Sequence, residues 1–367
     1  MKLVFVTQEL DPGHPALAQT VDLVGALAER VDELAIVARD VEWDGVPANA
    51  TVRTFDAAGK LGRGWRFERS LNASLGRADA VLVHMVPQFA LLAAPGVRIR
   101  RVPLALWYTH WHAGRALRAA TAAVDVVFSV DRSSFPLTSP KVRGTGHAID
   151  VVRFAPSPRP DGAGPLRLLA LGRTARWKGL ATLLQAVSLA VGRGTDMHLE
   201  IRGPSLTEDE QAHRLELERL VADDDSLQAR VAVLPPVSRD AIPALIASAD
   251  IVVSPNEPRS GATLDKAVFE SAACGRPVLS TNPAFASLLG GFSPPLLAPA
   301  RDPEELAKAI EALAGAGTAA REQIGEQLRA RVVAEHSLEH WADTVIAALR
   351  EIRSPRGKAG SERAAHG

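Results

Sequence analysis

The feature that most constrains this chain is a repeated alternation of short β-branched runs with longer helical patterns. The helical stretch Leu17–Arg30, for example, follows the first apolar run and places apolar residues on one face. The strands predicted in the first half are Leu3–Val6, Glu33–Ala38, Thr51–Phe55, Ala80–His84, Leu104–Tyr108, Val126–Val130 and Gly146–Ile149. Such alternation indicates βαβ units and a largely parallel sheet.

A proline-rich segment interrupts this pattern once. Residues Phe154–Pro165 contain four prolines and two glycines, a composition that neither helix nor strand tolerates. After it, the predicted strands are Leu166–Leu171, His198–Arg202, Val231–Leu234, Ile251–Ser254 and Pro277–Ser280. The predicted helices are Gly179–Val191, Glu208–Ala222, Asp240–Ser248, Asp265–Cys274, Glu304–Ala314, Ala319–Glu335 and Leu338–Ile352.

These patterns predict an α/β protein with two Rossmann-like domains whose parallel sheets face a central cleft. We expect an N-terminal domain over residues 1–154, a linker over 155–165 and a C-terminal domain over 166–335. A helix over 336–352 is expected to pack back on the N-terminal domain, and residues 353–367 are expected to form a flexible tail. Ligands of parallel sheets bind beyond the carboxyl ends of the strands, so chemistry is expected there.

Composition limits the class of protein. The 47% hydrophobic and 23% charged residues fit a soluble globular chain, and 42 basic residues balance 42 acidic ones, which argues against a dedicated nucleic-acid binder. Cys274 is the single cysteine, which favours a reducing compartment. The first strand pattern begins at Lys2, without a signal-peptide layout, and no apolar run is long enough for a membrane span. We therefore expect a cytoplasmic protein.

The first strand of the second half leads into a basic loop. The strand Leu166–Leu171 is followed by Gly172 and Arg173, and Lys178 comes five residues later. Glycine permits a tight turn, the arginine fork matches phosphate oxygens, and lysine adds a point charge. The pair suits a diphosphate, and a solvated basic loop is the alternative interpretation.

A second candidate segment opens the helix predicted from Asp265. Its first backbone N–H groups, over Gly261–Asp265, could bind a phosphate. Glu270 lies inside this helix among small and apolar residues, where a carboxylate needs a hydrogen-bonding partner. The two hydroxyls of a ribose would supply one, and a structural cap or salt bridge is the alternative.

The order and spacing of these segments resemble the C-terminal domain of the group-1, retaining GT-B glycosyltransferases. The residues that carry the resemblance are Gly172–Gly179, Gly203-Pro204 after the next strand, Ala249–Pro255, and the stretch from Glu270 to Val278. The resemblance implies that Arg173 and Lys178 bind the donor diphosphate and assist catalysis, and that Glu270 binds the ribose. The other donor-binding positions that it implies are Gly172, Gly203, Gly261, Ala262, Thr263, Leu264, Asp265 and Lys266.

The chain departs from the family pattern at one position. The family often carries two glutamates eight positions apart, and the position eight before Glu270 is Ala262. The missing carboxylate would usually contact the donor sugar. As a hypothesis, Asp265 and Lys266 take over part of its role.

In the first half, the resemblance points to residues after three strands. His110 is expected to contact the donor sugar near the reacting carbon, and His112 is the alternative for that position. His84 is expected to line the acceptor side of the cleft, and so is the loop that contains Gly13, where the family often has two glycines.

A cluster of cations recurs at three-residue spacing in the first half. Lys60, Arg63, Arg66 and Arg69 would form a basic helix face, with Trp65 beside them. This face could attract an anionic acceptor or a lipid surface, and a solvated face is the alternative.

The function predicted from the resemblance is transfer of a sugar from a UDP, GDP or ADP sugar to an acceptor, with retention of configuration. No metal and no cofactor are expected, and the acidic run Asp223–Asp225 is interpreted as a solvated helix end. The acceptor stays open, and lipid-linked and polysaccharide acceptors are among the candidates. Peripheral contact of the protein with a membrane is a further expectation. A nucleotide-sugar epimerase and an inactive sugar-nucleotide-binding subunit are the alternatives. A dinucleotide-dependent dehydrogenase is disfavoured because no Gly-x-Gly-x-x-Gly follows the first strand.

Overall fold

A computed structural model describes residues 1–14, 17–158, 164–258 and 264–364. The chain divides into two compact units. Unit 1 combines Met1–Ala148 with Glu335–Gly367, and unit 2 is Ile149–Ala334. The polypeptide therefore leaves unit 1 once and returns to it for the final helix.

Unit 1 contains a seven-stranded, fully parallel sheet with the order β3-β2-β1-β4-β5-β6-β7. Its strands are β1 Lys2–Leu10, β2 Glu33–Val41, β3 Ala50–Thr54, β4 Ala80–His84, β5 Leu104–Trp107, β6 Val126–Ser129 and β7 Val142–Gly144. The central strands are buried on both faces, as their continuous β-branched and apolar runs predict.

Helices cover both faces of this sheet. They are α1 Thr20–Ala28, α2 Gly59–Ser74, α3 Pro87–Ile99, α4 Arg115–Ala123 and the last helix of the chain, α13 Leu338–Ala364. One core contains the side chains of α1 and α13, and the other contains those of α2, α3 and α4. Alternate residues of β1 point into the two cores, Phe5 into the first and Val4 into the second. Trp341 of α13 is fully buried, with its ring 4.9 Å from that of Trp107.

The strand predicted at Gly146–Ile149 is wrong, and the strand at this edge of the sheet is β7 instead. Gly146 has a φ of 72° and Ala148 a φ of 54°, which are left-handed conformations that an extended strand cannot contain. A side chain at position 146 would collide with the backbone of Glu335, so this turn is built around a close backbone approach.

Unit 2 contains a five-stranded parallel sheet with the order β10-β9-β8-β11-β12. Its strands are β8 Leu166–Leu171, β9 Met197–Arg202, β10 Val231–Leu234, β11 Ile251–Ser254 and β12 Val278–Ser280. Its helices are α5 Leu180–Gly192, α6 Glu208–Ala222, α7 Asp225–Gln228, α8 Ile242–Ala247, α9 Lys266–Ala273, α10 Ala286–Leu289, α11 Pro303–Gly315 and α12 Gly317–His336. The predicted strands and helices of this half are confirmed, and the structure adds the short helices α7 and α10.

Several helix starts in unit 2 follow from capping side chains. Asp302 accepts a hydrogen bond from the Glu305 amide at the start of α11, at 3.0 Å. Asp224, in the acidic run after α6, accepts from the Ser226 amide at 2.9 Å and begins α7.

The last helix of the chain continues to Ala364, past its predicted end at Ile352. Within the described ranges, no helix combines the length and the apolar character needed to cross a membrane.

Candidate donor site at the ends of the second sheet

Three loops meet at the carboxyl end of the unit 2 sheet, where glycines allow their backbones to touch. Gly172, which follows β8, has a φ of 133°, and a side chain at Gly203, which follows β9, would overlap the Gly172 carbonyl. Gly179 has a φ of 65°, and a side chain there would overlap the carbonyl of Pro255, which follows β11. These glycines therefore fix how closely the loops after β8, β9 and β11 pack.

Arg173 is held by a buried carboxylate. Its guanidinium forms an ion pair with Glu210 of α6, yet 46% of its side chain stays exposed. Burial tends to raise the pKa of Glu210, but the hydrogen bond from Arg173 and the amide of Leu206, at 2.7 Å, outweigh it and lower that pKa. The carboxylate therefore stays ionised and orients the guanidinium.

Lys178 forms a buried ion pair with Asp265. The ammonium also lies 4.9 Å from the centre of the Trp177 ring, and the amide of Asn256 donates to Asp265 at 3.1 Å. Burial would raise the pKa of Asp265, but the charge and hydrogen bond of Lys178, together with Asn256, lower it. A fixed charge pair thus joins the loop after β8 to the start of α9.

The first turn of α9 carries a second ion pair. Asp265 is the N-cap of this helix and accepts from the Ala267 amide at 3.4 Å. Lys266, the next residue, lies 3.1 Å from Glu270, which is one turn further on and has a side chain that is 12% exposed. The carboxylate that the sequence assigns to a ribose therefore has a partner in its own helix, as the salt-bridge alternative predicts.

The described part of the predicted donor site thus brings together Gly172, Gly203, Arg173, Lys178, Asp265, Lys266 and Glu270 around the ends of β8, β9 and β11. Leu264 is half-buried just before α9. Gly261, Ala262 and Thr263 lie outside the described residues. Each of the three cations in this set has a carboxylate partner, so an incoming diphosphate would have to share or displace those partners.

Sequence reasoning missed two residues of the site: Glu210, the carboxylate that holds Arg173, and Asn256, which hydrogen-bonds to Asp265. Glu210 stands three residues after Thr207, and this spacing is typical of a helix capping box, which hides its second role. Asn256, which orients Asp265, is the second residue after β11. Its position at the carboxyl end of a central strand was the available signal.

In unit 1, His110 and His112 lie in the loop after β5, and both are exposed. The His110 ring stacks on Trp111, with centroids 5.3 Å apart, and its Nδ1 accepts from the His112 amide at 3.1 Å. The Tyr108 hydroxyl donates to the His112 carbonyl at 2.8 Å. The loop therefore presents two accessible imidazoles on a hydrogen-bonded turn.

His84 occupies a different environment from the one predicted. Its ring is buried between Phe5 and Trp107, with centroids at 5.8 and 5.2 Å, and Nδ1 lies 2.9 Å from the Thr7 hydroxyl. Burial lowers the pKa of His84 to about 4. The expectation that it lines an acceptor site is therefore replaced by a neutral core histidine, because its side chain offers almost no accessible surface.

Gly13 lies in an exposed turn after β1, where its amide donates to Asp11 at 2.7 Å. Nearby, Glu9 forms an ion pair with Arg39 and lies 3.1 Å from His14. The turn is thus fixed by local polar contacts.

Comparisons with known proteins agree with this architecture. Residues 165–316 match the sequence model of the family described as Glycosyl transferases group 1. A curated relative, the D-inositol 3-phosphate glycosyltransferase of Pseudarthrobacter chlorophenolicus, is 31% identical over 152 residues, which are 40% of this chain and 33% of the relative. The chain therefore matches about a third of the length of that relative.

Solved structures match over nearly the whole chain. A glycosyltransferase from Rickettsia africae superposes with a TM-score of 0.76 at 13% identity, covering 96% of this chain and 98% of the other. Anabaena HepE in complex with UDP superposes with a TM-score of 0.74 at 17% identity, covering 96% and 100%. The fold is that of the GT-B glycosyltransferases. The match to the group 1 glycosyl transferases covers residues 165–316, which lie within unit 2.

Proposed function

We propose that this chain is a glycosyltransferase that moves a sugar from a nucleotide-sugar donor to an acceptor. The observation that carries the proposal is the set of cations at the carboxyl end of the unit 2 sheet, inside the segment that matches group 1. A uridine nucleotide is the first candidate donor, because HepE has been solved with UDP and with UDP-glucose.

The proposed site stabilises the negative charge that develops on the departing diphosphate. Arg173 uses part of its guanidinium on Glu210 and keeps the rest exposed, and the amides at the start of α9 face the same end of the sheet. Lys178 adds a charge whose position is fixed before the donor binds. Preorganised charge of this kind lowers the barrier to departure of the leaving group without a metal ion, and we propose metal-independent transfer with retention of configuration.

Thermal-shift measurements with UDP, GDP and ADP, and with their common sugars, test the donor assignment. A nucleotide at about 100 times its Kd should stabilise the protein by about 2.7 kcal/mol. We expect Arg173→Ala to remove most of this stabilisation. Arg176→Ala is the matched control, because Arg176 lies in the same loop but pairs with the exposed carboxylates of Asp209 and Glu216. If no nucleotide stabilises the chain, or if Arg173→Ala retains the full shift, the donor site is wrongly assigned.

Ala262, in place of the first family glutamate, favours a sugar-nucleotide-binding subunit without catalysis as the second candidate. Incubation of the stabilising nucleotide sugar with the protein, followed by product analysis, separates the candidates. Transfer or hydrolysis above background supports the enzyme, and an unchanged donor supports the binding subunit. Free epimerised donor would instead support the epimerase. An Ala262→Glu variant that accepts a different sugar would indicate that position 262 contributes to donor choice.

We assign acceptor binding to unit 1 and contact with the donor sugar to His110, with His112 as the alternative. Replacing each histidine by alanine should separate the two alternatives. Only the replacement of the histidine that contacts the sugar should lower the turnover of bound donor. Lipid-linked and polysaccharide acceptors remain the candidates, and we propose that the reaction takes place in the cytoplasm.

A further inference from the structure

The outer face of α2 exposes two large apolar side chains. Leu61 is 92% exposed and Trp65, one helical turn later, is 64% exposed. The opposite face is the buried one, since Phe67 and Leu71 belong to the core of unit 1. Leucine and tryptophan that stand together in solvent at i, i+4 spacing indicate a contact surface rather than a core-facing helix.

The segment that contains this apolar pair is rich in cations. Between residues 59 and 101, the chain carries eight cations and two carboxylates, an excess of six in a chain with a formal net charge of +0. The cations are Lys60, Arg63, Arg66, Arg69, Arg77, Arg98, Arg100 and Arg101. Such a concentration of one sign is local and creates a positive field on this side of unit 1.

The two carboxylates of the segment do not neutralise these cations. Asp79 pairs with Arg353 at 2.9 Å and accepts from the Lys2 amide at 2.7 Å. Burial raises the pKa of Glu68, which accepts a hydrogen bond from Asn72. Within the described ranges, none of the eight cations forms a salt bridge.

The contacts of these cations are with neutral groups. Arg66 donates to the Asp56 carbonyl at 2.5 Å, and the Arg69 guanidinium lies 5.6 Å from the centre of the Trp65 ring. The positive charge of the surface is therefore available to an external anion.

The end of α3 extends the same surface. Arg100, which follows α3, donates to the Asn72 side chain of α2 at 2.9 Å, and this bond ties the two helices together. Ile99, the residue before it, is 81% exposed. We call the set formed by Lys60, Arg63, Arg66, Arg69 and Arg100 with Leu61, Trp65 and Ile99 the α2–α3 surface.

We propose that the α2–α3 surface docks unit 1 on an anionic lipid bilayer. Charge alone would suit any polyanion, but exposed leucine, isoleucine and tryptophan gain free energy only from a partner that also offers an apolar layer beneath its anions. Tryptophan prefers the membrane–water interface, and surrounding lysine and arginine bind anionic headgroups. This association is peripheral and does not depend on the donor site in unit 2.

Co-sedimentation of the full chain with vesicles tests the proposal. Vesicles of phosphatidylcholine with about one third phosphatidylglycerol should bind the protein, and vesicles of phosphatidylcholine alone should bind it weakly. Replacing Lys60, Arg63, Arg66 and Arg69 with glutamine should weaken binding by about a hundredfold or more, since each cation near an anionic surface contributes roughly fivefold. A Leu61→Ser, Trp65→Ser double variant should weaken it by about tenfold.

Leu215→Ser is the matched control, because Leu215 is exposed on α6 among acidic residues and should leave vesicle binding unchanged. Circular dichroism and the nucleotide thermal shift, measured on each variant, verify that both units stay folded. Equal binding to both kinds of vesicle, full binding by the α2 variants, or binding of a single-stranded oligonucleotide without binding of vesicles would overturn the proposal. Vesicle binding without a nucleotide shift would instead count against the donor assignment alone.

Discussion

The ammonium of Lys178 and the carboxylate of Asp265 form a buried ion pair between residues 87 positions apart. One partner belongs to the loop after β8 and the other is the N-cap of α9. The pair therefore crosslinks two of the loops from which the donor site is built. It also places a negative charge beside the lysine that we assign to a diphosphate.

Asp265→Asn should destabilise unit 2 and strengthen its binding of UDP. The amide keeps the cap to Ala267 but leaves the buried Lys178 charge without a counterion, which should cost about 3 kcal/mol. Loss of the Asp265 negative charge also removes a competitor of the diphosphate for Lys178, so the Kd for UDP should fall. Urea unfolding and calorimetric titration measure the two effects. The control Asp209→Asn changes an exposed partner of Arg176 and should alter neither, and unchanged stability in Asp265→Asn would contradict a buried pair.

Gly203→Ala should destabilise unit 2 by about 1–3 kcal/mol or more, because the added Cβ would overlap the carbonyl of Gly172, and backbone cannot give way cheaply. Gly192→Ala offers a comparison within the same sheet domain. It ends α5 with open space around it and should be neutral or stabilising by up to about 1 kcal/mol. Thermal unfolding of both variants measures the difference, and equal stabilities would show that the loops do not pack closely.

The pH dependence of stability should report on His84. Because burial lowers its pKa from 6.5 to about 4, the unfolded chain binds more protons between those values. The contribution of His84 to the free energy of unfolding is therefore complete above about pH 6.5. It decreases as the pH falls, by about 2 kcal/mol at pH 5. His84→Gln should remove the part of the loss that comes from His84, whereas the same change at the exposed His198 should leave the loss unchanged. Urea unfolding at pH 7 and pH 5, followed by tryptophan fluorescence, compares them.

A second histidine of unit 1 adds to the acid sensitivity of the parent chain. Burial, with a further contribution from His147, lowers the pKa of His336 to about 4. His84→Gln should therefore reduce the acid-induced loss without abolishing it. An identical loss in the variant and the parent chain would contradict the burial of His84.

Glu270→Gln should weaken the binding of nucleosides that carry ribose more than it weakens the binding of inorganic diphosphate. A carboxylate accepts hydrogen bonds from two neighbouring hydroxyls better than an amide does, and the charged bonds are worth about 1.5–3 kcal/mol. Calorimetric titration with UDP and with diphosphate gives the two affinities. Glu257→Gln, which removes a partner of the exposed Arg301, is the control. If the affinities for UDP and for diphosphate fall equally, Glu270 acts through Lys266 and not through the ribose.

The sequence predicted the elements of this fold well because buried parallel strands have a clear pattern. Four strands have the bounds that the sequence predicts: Ala80–His84, Leu166–Leu171, Val231–Leu234 and Ile251–Ser254. The strand predicted at Gly146–Ile149 was wrong because its β-branched and small residues do not reveal the left-handed turn that they adopt. A sequence pattern predicts only the local backbone conformation. The prediction failed at Gly146, where a distant backbone segment, that of Glu335, sets the conformation.

The same limit applies to the candidate site. Arg173 and Lys178 were predicted from loop position and residue type, but their carboxylate partners lie 37 and 87 residues away and are specified only by the folded sheet. His84 shows the reverse case. A polar residue at the end of a strand can point to solvent or to the core, and the stacking of Phe5 and Trp107 against its ring decided this outcome.

The return of the chain to unit 1 sets the order in which the two units can be completed during synthesis. All of unit 2 emerges from the ribosome before Leu338, the first residue of α13. Unit 1 must wait for that helix before Trp341 can pack against Trp107 and cover one face of its sheet. The half of the molecule that is translated first is therefore the last to acquire its finished core, and the inserted half can fold ahead of it.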